Sequence, residues 1–403
     1  MINLKKIGFQ NFRLFKKQDF ELAPITILTG PNSSGKSTIV RGLRLLAESA
    51  ERDNLKLLLK SKTETGYSTF SQLRNNDNES VVFTLGFKDF SLGESSNKNI
   101  EFTLFYDHNI DSPFGYYNEK KSATSGFTLA EISSEIRDKF IYLPAYRIKP
   151  SREFNRSDDN HLSKLLFKIY DKEIKTAPHP FEAIQDAMKD NPEYQDLFPV
   201  YFTNEFIRIF ELGDSVVFKP NNYNGNYELL IKDHKSGECT NIADLGSGIS
   251  SLIVLMLHID FGASYAAGEF QIVEHADGLN IEAEFPKKSD RTILIEEPEI
   301  SLHPNFQSML ADLLVRAHNM YGVRFIVETH SEYLIQKLQY LIAKSECDSN
   351  DVIIHYLFEK RKKLGPNTIK ISKDGRLSSD FGSGFFDESL KTIFSLWEIQ
   401  GLN

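Results

Sequence analysis

Pro24-Ile25-Thr26-Ile27-Leu28-Thr29-Gly30-Pro31-Asn32-Ser33-Ser34-Gly35-Lys36-Ser37-Thr38 decides the reading of this chain. Its first six residues form a short apolar, β-branched run, as a buried strand requires. Gly30 to Ser37 then spell G-x-x-x-x-G-K-[ST], and Ser37 to Leu46 carries apolar residues at helical spacing. Strand, glycine-rich loop and helix, in that order, is the context in which this motif cradles phosphates. Backbone N–H groups of residues 32 to 37 converge on an anion where the helix dipole favours negative charge. Lys36 reaches the β- and γ-phosphates and the Ser37 hydroxyl ligates Mg²⁺. Gly30, Pro31, Asn32, Ser33, Ser34, Gly35, Lys36, Ser37 and Thr38 are therefore expected to bind a nucleoside triphosphate.

A second constellation lies far downstream. Arg291-Thr292-Ile293-Leu294-Ile295-Glu296-Glu297-Pro298-Glu299 runs a β-branched, apolar stretch directly into paired acids. A buried strand with acids at its C-terminal edge marks the ligand-binding edge of an open α/β sheet. Glu296 is expected to hold Mg²⁺, directly or through water, and Glu297 to orient and deprotonate the attacking water. Ser301-Leu302-His303-Pro304 leads into a predicted helix over residues 305–321 and a second buried strand, Val323 to Val327. That strand ends in Glu328-Thr329-His330-Ser331, which places His330 to donate a hydrogen bond to the γ-phosphate.

Composition sets the outer limits. The 403 residues are 40% hydrophobic and 26% charged, as in soluble globular proteins. The N-terminus alternates apolar and polar residues without a signal-peptide core. The longest apolar stretch, Ile249 to Ile259, is too short to span a bilayer. Cys239 and Cys347 supply neither a disulfide framework nor metal-site spacing. These features predict a cytoplasmic protein without membrane contact. The net charge of −9 disfavours global nucleic-acid binding. Local basic clusters at Lys16-Lys17, Arg147 to Arg156 and Lys360 to Lys363 read as solvated faces or a hairpin tip, or as nucleic-acid contacts.

On these residues the chain resembles the ABC-type ATPases of the RecF, SMC and OLD branch. The matching elements are Ile7-Gly8-Phe9-Gln10-Asn11-Phe12-Arg13, the phosphate loop, Glu296-Glu297-Pro298-Glu299 with Leu302-His303-Pro304, and Thr329-His330-Ser331. The ending Gly384-Phe385-Phe386-Asp387-Glu388 resembles that of a bacterial subgroup of standalone AAA-type ATPases. The resemblance implies an α/β head with a doubly wound, mostly parallel sheet, an antiparallel β-lobe, and two ATPs with Mg²⁺ sandwiched between two heads. It implies a signature loop, for which Ala243 to Ser251 is the candidate, with Gly246, Ser247 and Gly248 meeting a partner's nucleotide. A turn and helix cap is the other reading of that loop, and Ser250-Ser251 stand where the family more often has a glutamine. Glu296 replaces the family's usual aspartate. Arg13 is a nucleotide contact by resemblance, or an exposed strand charge; Gln72 is a candidate for the Q-loop glutamine.

The expected organisation is residues 1–150 as the first part of the head with its β-lobe, 151–212 as a compact helical insertion, and 213–403 as the rest of the head. The insertion has no sustained heptads. Its aromatics (Phe154, Phe202, Phe206 and Phe210 among them) are either core or, interleaved with arginines, a nucleic-acid platform. Asp374, Asp380, Asp387 and Glu388 do not form a strand-end acid constellation, so no nuclease site of the chain's own is expected. The resemblance then points to a homodimeric or larger regulatory ATPase in bacterial anti-phage defence, acting on a separate nuclease or toxin. The alternative is a DNA-repair or chromosome-maintenance ATPase that clamps DNA directly.

Overall fold

The computed structural model describes residues 2–50, 57–58, 70–76, 80–89, 98–108, 114–120, 136, 139–145, 151–155, 201–220, 226–233, 235–264, 271–275, 278–282, 289, 291–360, 363–381 and 388–400. The main sheet is built around β3 (Ile25–Thr29), β15 (Arg324–Glu328) and β14 (Thr292–Glu296), with β8 (Phe140–Leu143) beyond β14 and β16 (Val352–Lys360) on the other side of β3. All of these neighbours pair in parallel. β17 (Lys363–Lys370) closes the far edge antiparallel to β16, with Lys360 paired to Lys363; the basic tip between them, residues 361–362, lies outside the described residues.

Every residue of β3 and β15 is buried, yet the strands still alternate between two cores. Ile25, Ile27, Ile293, Ile295, Phe325 and Val327 face one side; Leu28, Leu294 and Ile326 face the other. This is why the strands read as continuous apolar runs: helices cover both faces of a parallel sheet. On the first face lie α3 (Ser247–Ser264), α4 (Pro304–Tyr321) and α5 (Glu332–Ala343), contributing Leu252, Leu310 and Leu334. On the second lies α1 (Lys36–Ala50), whose Ile39, Val40 and Leu43 also meet the β-lobe.

That lobe is a sheet of β1 (Ile2–Phe12), β2 (Phe15–Glu21), β4 (Leu57–Leu58), β5 (Val81–Asp89), β6 (Lys98–His108) and β7 (Phe114–Lys120), in the order β2-β1-β5-β6-β7-β4. All its pairings are antiparallel. Phe9, Phe12, Phe15, Phe20 and Phe83 pack ring against ring between the lobe and α1. Such aromatic pairs contribute about 0.5–1.5 kcal/mol each beyond their buried area. The lobe therefore fixes the helix that opens at Lys36.

Of the expected insertion, residues 156–200 lie outside the described residues. Its far end forms α2 (Tyr201–Ile209), which packs on α3. Phe154, Phe202, Phe206 and Phe210 are all buried in the first core, so these four aromatics are core and not an open stacking surface. Asp260 on α3 accepts the backbone N–H groups of Phe202 and Thr203, capping α2 across the core. A three-stranded sheet, β9 (Ser215–Pro220), β10 (Tyr227–Lys232) and β11 (Cys239–Asn241), leads from α2 into α3. That helix begins at Ser247, two residues before the apolar stretch Ile249 to Ile259. Among the described residues no helix is long and apolar enough to cross a membrane.

Candidate nucleotide site

The loop between β3 and α1 has backbone that few residues tolerate. Gly30 (φ 139°), Ser33 (φ 62°) and Gly35 (φ 102°) all have positive φ. A Cβ on Gly30 would stand 2.1 Å from the Leu357 carbonyl oxygen of β16, so only glycine lets the loop leave the sheet here. Alternating right- and left-handed residues turn successive N–H groups inward, which makes an anion-binding concavity. The Lys36 ammonium lies across this loop, donating to the carbonyls of Gly30 at 2.9 Å and Pro31 at 2.8 Å. Burial holds its pKa below the ordinary lysine value, partly opposed by Glu328, Glu297 and Glu299. The hydroxyls of Thr29 and Ser34 are buried without a hydrogen-bond partner. Such donors fit a phosphate group.

The acids gather at the C-terminal ends of the two adjacent strands. Glu296 ends β14, Glu328 ends β15, and the two are register partners with side chains on the α1 side of the sheet, as are Leu294 and Ile326. Glu328 Oε1 accepts the Ser37 hydroxyl at 2.7 Å. Burial, with Glu296 and Glu297 adding to it against the Ser37 bond and Lys36, pushes the Glu328 carboxyl up to about 7. Tyr142 on β8 is pushed up to about 12, first by burial and then by the Glu296 charge to which it hydrogen-bonds. The Arg44 guanidinium of α1 lies 4.0 Å over the Tyr142 ring, so a cation backs this phenol.

Glu297 turns out of the strand at φ 43°, a left-handed conformation, with its N–H donating to the Glu328 carbonyl at 2.7 Å. Its Oε1 is 3.8 Å from His330 Nε2, and both side chains are about one-third exposed. Burial and the Lys36 charge lower the His330 pKa, so at neutral pH the ring is neutral with one N–H to donate. Glu299 is almost fully buried; its Oε1 accepts the backbone N–H of His330 at 2.6 Å. His303 and Pro304 form the start of α4, with His303 Nδ1 accepting from Asn305 N–H. Ser331 caps α5 by accepting from Leu334 N–H, and its hydroxyl donates to Gln307 of α4. Two caps thus fix the loops that carry Glu297 and His330.

The remaining expected residues stand elsewhere. Gly246 and Ser247 are exposed at the start of α3, whereas Gly248 is buried against the next loop, where a Cβ would be 2.3 Å from the Ser301 carbonyl. The candidate signature loop is thus docked on the loop that follows the acidic strand. Ser250 donates its hydroxyl to the Ile242 carbonyl and stabilises this bend. Arg13 has φ 50°, and its N–H and C=O bond to Leu73 and Asn75; Gln72 is exposed on the turn Phe70–Leu73 beside it. Reading the sequence alone missed Glu328, Tyr142 and the role of Glu299. The available signal for Glu328 was that both buried strands end in a glutamate at the same place.

Residues 2–143 and 94–335 match the family described as AAA ATPase domain, together most of the chain. The chain belongs to the AAA ATPase domain family. Residues 347–396 match a second family, described as a protein of unknown function (DUF3696). This AAA ATPase is 21% identical over 382 residues to the OLD nuclease of Thermus scotoductus, covering 90% of this chain and 66% of that protein's length. It thus spans just under two thirds of that relative. Among solved structures it is similar to an SMC head bound to the C-winged helix domain of ScpA, at 14% identity and TM-score 0.51, covering 91% of this chain and 98% of that one. A Smc head with an extended coiled coil from Pyrococcus furiosus, bound to the C-terminal domain of ScpA, matches at 14% identity and TM-score 0.50, over 99% and 100% of the two chains. These likenesses show the fold alone, that of an SMC head.

The donor set fits a hard divalent cation held with nucleotide. Among the described residues, no three His, Cys, Asp or Glu side chains are grouped so as to hold a metal by themselves. Magnesium seldom needs such a cage; it takes one or two carboxylates, a hydroxyl, waters and phosphate oxygens. Ser37 donates to Glu328 Oε1, while Glu328 Oε2 and Oε1 of its register partner Glu296 are buried without a hydrogen-bond partner, acceptors that a divalent cation would fill.

Proposed function

We propose that this AAA ATPase binds ATP with Mg²⁺, hydrolyses it, and works as a homodimer or larger assembly whose conformational change is the output. The observation that carries this reading is the gathering of Lys36, Ser37, Glu296, Glu297 and His330 at one edge of the parallel sheet, where α1 begins. Bound there, Mg²⁺ supplies charge neutralisation on the phosphates. Ser37 and Glu296 would hold it, and Lys36, now on the loop carbonyls, would neutralise the phosphates. Glu297 accepts the proton of the attacking water, and neutral His330 donates its N–H to the γ-phosphate.

In the dimer, the exposed Gly246 and Ser247 meet the partner's nucleotide, and the docking of Gly248 on Ser301 relays that contact to the acidic strand. We place the protein as the regulatory subunit of a bacterial defence complex with a separate nuclease or toxin effector. Family resemblance supports that role, and the net charge of −9 weighs against a direct DNA clamp.

The test is a Glu297→Gln pull-down from the native host with ATP present, read by mass spectrometry and nucleic-acid analysis. It should retain nucleotide, hydrolyse at least about 100-fold more slowly, and co-purify an effector subunit. DNA alone, released by salt, refutes the regulatory role in favour of the clamp; undiminished turnover refutes the assignment of Glu297. Lys36→Ala should lose nucleotide binding altogether.

A further inference from the structure

Ser37 is the residue of the loop expected to ligate magnesium, and its hydroxyl hydrogen has a specific destination. It goes to Glu328 Oε1 at 2.7 Å, not to Glu296 of the acidic motif. A hydroxyl has one hydrogen and two lone pairs. With the hydrogen fixed on Glu328, both lone pairs of Ser37 are left for a cation. Glu296 is held differently, by the Tyr142 phenol. The two carboxylates are register partners on neighbouring parallel strands, and each keeps one buried oxygen, Glu296 Oε1 and Glu328 Oε2, without a partner. Two acids placed side by side repel, and Lys36 directs its hydrogen bonds to Gly30 and Pro31 instead. An arrangement of two like charges with one free oxygen each is complementary to a divalent cation or its bound water.

We propose that Glu328 is a second acidic member of the magnesium site, orienting the Ser37 lone pairs and facing the cation beside Glu296. The task usually given to one acid after a buried strand is then divided between two strands. Glu296 supplies charge from β14, and Glu328 supplies charge and positions the serine from β15. This rests on the nucleotide-and-magnesium reading above and extends it to a residue that reading does not use.

The experiment uses the full chain, a fluorescent non-hydrolysable ATP analogue, and Mn²⁺ in place of Mg²⁺, read by electron paramagnetic resonance. Analogue affinity in EDTA is measured in parallel. Glu328→Gln keeps an oxygen that can accept the Ser37 hydrogen and removes the charge; Glu328→Ala removes both. Outer-sphere partners of metal ligands are typically worth about 10–100-fold in metal affinity. The half-saturating Mn²⁺ concentration should rise about 10-fold in Glu328→Gln and toward 100-fold in Glu328→Ala. Analogue affinity in EDTA should stay within about twofold of the parent, which a merely structural role would not predict. Parental Mn²⁺ affinity in both variants, with Glu296→Gln weakened, overturns the role of Glu328 alone. Failure of the parent chain to bind the analogue with or without Mn²⁺ overturns the underlying nucleotide reading as well.

Discussion

Glu299 offers the sharpest test of how the site is held together. It is nearly fully buried, accepts the His330 backbone N–H at 2.6 Å, and bears one oxygen without a partner. Glu299→Ala removes a charge-assisted bond and leaves that N–H without its acceptor. The loop is only partly shielded, so the loss should be about 1–2 kcal/mol, the lower part of the range for such bonds. Its larger effect should be on turnover. With its tether gone the loop can move, and a displacement of His330 by about 1 Å is enough to lower kcat on the order of 100-fold. Glu299→Gln preserves an acceptor oxygen and should stay within about threefold of the parent, because the proton-transfer groups are untouched.

The same pair separates by pH. Burial holds the Glu299 pKa above its ordinary value of 4.5. Neutral Glu299 therefore suits the fold better than the ionised form. That contribution is fully present below about pH 4.5 and is lost as pH rises through the folded-state pKa. Glutamine never ionises. Glu299→Gln should match the parent in urea unfolding near pH 4.5, gain on it as pH rises through the folded-state pKa, and hold that gain above it. Two results would refute the reasoning: parental turnover in Glu299→Ala, or a difference between Gln and parent that does not change with pH.

Two further outcomes follow from backbone geometry. Glu297 stands at φ 43°, so Glu297→Gly should be more stable than Glu297→Ala by about 1 kcal/mol in denaturant melts, while neither hydrolyses ATP; equal stabilities would remove the strain argument. Gly248→Ala puts a methyl 2.3 Å from the Ser301 carbonyl, and should destabilise the chain by about 1–3 kcal/mol and impair ATP-driven dimerisation measured by light scattering.

Much of the head was legible because chain order and chemistry agree. Three apolar runs, each followed by a loop rich in Gly, Glu or His, became β3, β14 and β15, lying side by side. The helix before β15 was read as 305–321 and spans Pro304–Tyr321, with Gly322 as its left-handed cap at φ 75°. Register was not legible. That Glu328 stands beside Glu296 and under Ser37 depends on how β14, β15 and α1 align, and a linear pattern carries no such information. Val327-Glu328-Thr329 therefore reads as a strand end serving the histidine that follows. Tyr142 was hidden for the same reason, since β8 returns to the sheet beside β14 from a distant part of the chain. The aromatics near α2 were ambiguous because composition does not distinguish a stacking surface from a core; packing of Phe202, Phe206 and Phe210 against the head decides it for these.

The acidic edge can be weighed as either a structural or a functional arrangement. Buried carboxylates that serve a fold are normally neutralised by arginines or saturated with N–H donors, because an ionised group without partners costs several kcal/mol to bury. Glu296, Glu299 and Glu328 each have an oxygen satisfied by a hydroxyl or an N–H and a second, buried oxygen with no partner. Lys36, the cation in the field of Glu328, Glu297 and Glu299, directs its hydrogen bonds to loop carbonyls. A fold-stabilising network would not leave three buried acceptors unfilled next to an ammonium facing another way. A site that must accept a divalent cation would, since a cation bound only by the native state recovers the cost through linkage. The same logic accounts for the left-handed Glu297 at the turn, where strain at a non-glycine residue persists because the side chain is required. The unfilled acceptors of Glu296 and Glu328 are therefore best explained by nucleotide and metal binding, and Glu296→Gln and Glu328→Gln should each raise the stability of the protein measured without nucleotide while reducing the stabilisation it gains from Mg²⁺ and ATP.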